Sequence, residues 1–279
     1  MQETITCKNC GNHFLGKFCN QCGEKVYREQ DKLFTHIADD AFHFITHFDG
    51  SFFTTFKTFI RHPGKLSADF CNGIRKRYFK PIPFFLMMVA LYFIFPLFAG
   101  LNMKADSYLR KDYDFTWISL PVFKAKMKNN GATFKEVASK YNSKSPKISK
   151  FSLILLIPLS GIFLSLLFYT RHRHLYDHLI LSSEILSFLI FSQYLVLPLL
   201  AVIVVKLAPQ YEYIFKDGSF IWWIMHALFG FFIAVAFRNF YKEKYWLTIL
   251  KTIAFMFVFF AIIKYIYALI VFLVTMIFV

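Results

Sequence analysis

The sequence predicts an all-α polytopic membrane protein, with about five transmembrane helices and a small N-terminal zinc ribbon. Three observations carry this reading. Of the 279 residues, 57% are hydrophobic and 20% aromatic, with 38 Phe, whereas soluble domains rarely go far above half apolar. The apolar residues fall in long uninterrupted runs, so lipid is the solvent for much of the chain. Four of the five cysteines lie in two close pairs within the first 22 residues.

The ribbon comes first, at residues 1–25. Cys7-Lys8-Asn9-Cys10-Gly11 is followed by Cys19-Asn20-Gln21-Cys22-Gly23. A tight turn brings the two sulfurs of each pair to one side, and the following glycine permits the left-handed backbone such a knuckle needs. Four thiolates around a tetrahedral ion make a closed structural Zn2+ site with no position open to substrate. Two disulfides are the alternative. The paired spacing and the lack of an apolar export signal in residues 1–30 favour metal. The 8-residue spacer is expected to form a hairpin turning near Leu15-Gly16. Cys71 has no partner nearby in sequence and reads as an ordinary buried thiol.

Residues 26–80 mix aromatic and charged residues and read as amphipathic interfacial helices, broken at Asp49-Gly50 and Pro63-Gly64. Residues 81–279 form the transmembrane domain. Its spans are expected at about 81–101, 151–170, 179–205, 219–237 and 246–279. The first would serve as its own insertion signal. The last is about 50 Å long at 1.5 Å per residue, more than a roughly 30 Å hydrocarbon core requires, so one tilted or overhanging helix is expected. The extramembrane loop at 102–150 carries 11 Lys/Arg and 4 Asp/Glu. Only its stretch 131–142 reads as a short helix.

The formal net charge is +15. Because the basic residues cluster beside apolar runs, they read as flanks of spans that meet lipid headgroups, and no nucleic acid partner is expected. Lys/Arg counts do not orient the chain. With the N-terminus inside, the inner segments 61–80, 171–178 and 238–251 hold 12, and the outer segments 102–150 and 206–218 hold 13. The basic run Arg75-Lys76-Arg77 beside the first span, and the need to keep four thiolates reduced, favour a cytoplasmic N-terminus and an outward C-terminus.

Four motifs occur in a fixed order: the Cys7–Cys22 ribbon, Phe44-Ile45-Thr46-His47-Phe48-Asp49-Gly50-Ser51-Phe52, Arg61-His62-Pro63-Gly64-Lys65, and Arg75-Lys76-Arg77-Tyr78-Phe79-Lys80-Pro81. Tyr176-Asp177-His178-Leu179-Ile180, running on to Ser187-Phe188, forms a further patch. This order resembles the DUF3667 family of bacterial membrane proteins. The resemblance covers residues 1–81 and, more loosely, the spans. The chain departs from the family pattern at Glu184, where a further His is common. The resemblance implies a zinc-ribbon head on a membrane domain and brings no established activity.

Two polar clusters are candidate sites. His36, Asp40, His43 and His47 share one helical stripe, which suits a second metal site or the polar face of an interfacial helix. Asp177, His178 and Glu184 lie at the cytoplasmic end of the third span, next to Ser182, Ser183 and Ser187. Ionisable groups in a span usually serve a site or find a partner, so a polar pocket between helices is expected there. The depths of Glu184 and Lys264 argue against a pair between them. The chain lacks nucleotide-binding loops, nucleophile elbows and H-E-x-x-H motifs.

The functional expectation is therefore an integral membrane protein of a bacterial inner membrane, non-enzymatic, with a zinc ribbon that docks a protein partner or regulates. The alternative is a small transporter or metal-dependent intramembrane enzyme that uses the His/Asp/Glu clusters.

Overall fold

Each cysteine pair organises its own short loop. In the computed structural model, which describes residues 4–26, 51–94, 101–110, 115–211 and 219–279, strands β1 (Ile5–Thr6) and β2 (His13–Phe14) pair antiparallel across the first knuckle. A bridge between Phe18 and Lys25 closes the second. Leu15 and Gly16 thus link two small loops instead of turning one hairpin, as the spacing had suggested.

The 26–80 stretch is described from Ser51 onward; the His36, Asp40, His43 and His47 stripe lies outside the described residues. Helix α1 (Ser51–Arg61) turns at His62-Pro63-Gly64 into α2 (Lys65–Cys71). Phe52, Phe56 and Phe59 recur at helical spacing and pack into the membrane core, while Lys57 and Arg61 are exposed. Gly64 has φ +77°, and a Cβ there would meet the Ala236 carbonyl oxygen at 2.4 Å. Only glycine fits that turn on both counts.

Helix α3 (Pro81–Ile94) is apolar and 14 residues long in its described part. Among the described residues, four further helices, or most of their length, are long and apolar enough to cross a membrane: α6 (Phe134–Leu167), α7 (Leu175–Leu207), α8 (Ser219–Tyr241) and α9 (Tyr245–Phe278), with the short α4 (Ala105–Tyr108) and α5 (Thr116–Asn130) before them. The chain is a multi-pass membrane protein. The Arg171–Glu243 ion pair joins the α6–α7 and α8–α9 turns, and Arg75 near the ribbon lies over the Tyr176 ring at the start of α7. These turns therefore share the ribbon's side. At the other end, the Lys144 ammonium donates to the Phe278 carbonyl, which puts the 102–150 segment and the end of α9 together.

The 102–150 segment corrects the sequence reading. It is largely helical, and α6 runs without a break from Phe134 into the apolar run. Its start is fixed by a capping box, in which the Thr133 side chain accepts from the Glu136 N–H and Glu136 reaches back to the Thr133 N–H. Gly131, left-handed, closes α5. Tyr108, Phe123, Val137 and Tyr141 form a second core with Ala268, Phe272 and Met276 of α9. Helix α9 is about 50 Å long, and its last third is buried against this second core.

Helices α6 and α7 pack closely through small residues. Ser160 and Ser182 are hydrogen-bonded at 2.5 Å, and a Cβ on Gly161 would meet the Leu179 side chain at 2.6 Å. Such contacts let helix backbones approach in a medium that supplies no hydrophobic drive between them.

Candidate functional site

The four ribbon cysteines converge. Their ligand atoms lie within 4.8 Å of one another, with Cys7–Cys22 at 3.5 Å and Cys10–Cys19 at 3.6 Å between sulfurs. A tetrahedron of sulfurs about 2.3 Å from a central zinc has edges of about 3.8 Å, so the donor set fits a metal ion. The two knuckles repeat one backbone pattern. Cys7 N–H donates to the Asn12 carbonyl and Gly11 N–H to the Cys7 carbonyl; Cys19 N–H donates to the Glu24 carbonyl and Gly23 N–H to the Cys19 carbonyl. Both glycines have positive φ. Backbone donation from Cys22 lowers the Cys19 thiol to about 6. All five cysteines are free thiols.

The second knuckle is joined to the membrane domain through a residue that the sequence did not single out. Glu24 is buried, and its carboxylate accepts from the Arg75 N–H at 3.1 Å and the Lys76 N–H at 2.8 Å. Arg75 is also buried; its guanidinium lies over the Phe70 ring and bonds the Phe70 carbonyl. The basic run before α3 is therefore partly a docking surface for the ribbon.

Glu184 is 1% exposed and faces neither lipid nor an open cavity. Its carboxylate accepts from the Gly64 N–H at 2.7 Å, the Ser67 N–H at 2.9 Å and the Ser67 hydroxyl. The first-turn N–H groups of α2 have no partner within their own helix, and burial leaves no water to supply one. The carboxylate from α7 supplies it, favoured by the positive end of the helix. Asn239 completes the joint by donating to the Pro63 carbonyl at 2.7 Å.

Asp177 and His178 have other partners. His178 Nδ1 lies 2.7 Å from the Tyr241 hydroxyl, and Asp177 pairs with Arg173 at 3.8 Å. Burial pushes the nearby Cys71 thiol well up. Ser183 and Ser187 bond carbonyls of their own helix. The three ionisable residues thus line one end of α7 and engage different partners. Lys264 bonds Tyr265 instead of reaching Glu184.

Sequence reasoning also missed Glu243. It is buried, and one of its oxygens accepts from Arg171 at 2.9 Å and Lys251 at 2.8 Å. Burial alone would push its carboxyl up. The Lys251 and Arg171 hydrogen bonds and charges outweigh that and hold it below the usual carboxylate range.

The Pro63–Gly64 hairpin and the start of α3 lie in the stretch that a known family shares. Residues 49–93 match the DUF3667 model, described as a protein of unknown function. The match supports the resemblance read from the motifs. It leaves out the ribbon and the four long helices. No curated protein and no solved structure matches the chain.

Proposed function

We propose that this DUF3667 protein is a non-enzymatic, multi-pass protein of a bacterial inner membrane whose Zn2+-bound ribbon is a cytoplasmic regulatory and docking head. One observation carries this reading: Glu24 belongs to both parts. Its carbonyl closes the second metal knuckle and its carboxylate holds the Arg75–Lys76 turn. That turn leads from α2, which Glu184 caps, into α3. Metal occupancy would order the ribbon, since its own core is little more than Phe14 packed among the cysteines, and ordering would fix the turn at the head of the first membrane helix. A protein partner that binds the ribbon would act on the same joint.

A transporter or intramembrane enzyme would use Asp177, His178 and Glu184 together. Their separate engagements with Arg173, Tyr241 and the α2 terminus favour a structural role.

Elemental analysis and hydrogen exchange on the full-length protein in detergent test the reading. One zinc per chain is expected, lost on Cys19→Ser plus Cys22→Ser. Chelation should raise amide exchange at residues 73–80 as well as in the ribbon. Exchange at 73–80 that ignores the metal would overturn the regulatory reading.

A further inference from the structure

A crevice of about 320 Å³ runs between α7 and α8 and ends against the hairpin tip. Phe188, Ser192 and Leu200 line one wall, Leu228 and Phe231 the other, and Pro63 closes one end. From Phe188 to Leu200 the wall is about 18 Å long at 1.5 Å per residue. Ser192 is polar, but its hydroxyl donates to the Phe188 carbonyl of its own helix at 2.7 Å, so it makes no demand on an occupant. The α7 wall includes the π-helical segment Ile190–Val196, a rare geometry that recurs at functional sites. The crevice opens sideways through exposed apolar residues, with Phe231 67% and Leu200 50% exposed. An elongated apolar slot that opens from a transmembrane bundle faces hydrocarbon.

Its closed end is basic. Ile60 and Pro63 line the crevice, and the residues between them, Arg61 and His62, are exposed. Lys57, one turn before Arg61, and Lys65, just after the tip, are exposed as well. No acidic residue lies between Ser51 and Ala68. Aliphatic walls with cations at one end complement a fatty chain carrying an anion.

We propose that this crevice binds one acyl chain of an anionic glycerophospholipid, with the phosphate held by Arg61 and His62. The hairpin would then be fixed from two sides, by Glu184 from within the bundle and by a lipid from outside it.

The test uses full-length protein in phosphatidylcholine vesicles with chain-labelled phosphatidylglycerol or phosphatidylcholine, immobilised lipid being read by electron spin resonance. The wild type should hold phosphatidylglycerol about five-fold or more over phosphatidylcholine, the effect of one basic residue at an anionic headgroup. Arg61→Gln with His62→Gln should bring the two lipids close to equality. Leu228→Trp, which fills the slot, should reduce immobilisation of both lipids at unchanged thermal melting; Leu200→Trp, at the exposed mouth, replaces it if melting falls. Equal retention of the two lipids by the wild type would overturn the proposal. So would a preference that survives the glutamine pair, or immobilisation that the tryptophan leaves untouched, since that would place the lipid on surface charge outside the crevice.

Discussion

Replacing Glu184 with Gln removes one oxygen from a joint that uses both. The carboxylate satisfies two buried backbone N–H groups and a hydroxyl. The amide keeps one acceptor and turns the other into a donor facing a donor. Gly64 or Ser67 then has a buried N–H without an acceptor, at a cost of about 1–3 kcal/mol. Glu184→Leu strips both N–H groups, about 2–6 kcal/mol by the same count; the Ser67 hydroxyl still has the Ile180 carbonyl at 3.3 Å. Thermal unfolding in detergent should rank wild type above Gln above Leu. Hydrogen exchange should show protection lost at Gly64 and Ser67 before the bundle melts. A Leu variant as stable as wild type, with both amides still protected, would refute the capping argument.

Gly64→Ala should destabilise by about 2–5 kcal/mol, combining left-handed strain with a clash against the α8 backbone, and membrane abundance checks it. Glu243 makes stability depend on pH. Its folded value is depressed, so its contribution is present above the ordinary value near 4.3 and is lost as pH falls through the lower folded value. Glu243→Gln should flatten that acid limb in melting curves, and an unchanged limb would exonerate the residue. Reporter fusions should place the N-terminus and the 242–244 turn in the cytoplasm and the C-terminus outside; both termini on one side would contradict α3 as a fifth crossing beside the four long helices.

The apolar runs and the C-x2-C pairs were legible because each signal is local. A span needs continuous apolarity, and a knuckle needs its glycine. The 102–150 segment was less legible. Its α5 carries Pro121 and no clear apolar face, and α6 is polar for its first half, so only Thr133 and Glu136 marked a start. The apolar partner of this segment is the end of α9, more than 100 residues away. Glu184 stood out as costly in a span, yet its partners, the N–H groups of Gly64 and Ser67, are backbone and leave no mark in composition. Nothing in the sequence singles out Glu24 and Glu243, because burial at a tertiary joint has no local pattern.

If the ribbon's metal state reaches the membrane bundle, it does so through Glu24. Thermal melting of the full-length protein with and without zinc, in wild type and Glu24→Ala, measures that coupling directly. Zinc should raise the melting temperature of the wild-type bundle. In Glu24→Ala most of that increment should vanish while one zinc per chain is still bound. The same increment in both proteins would show that the ribbon and the bundle are independent.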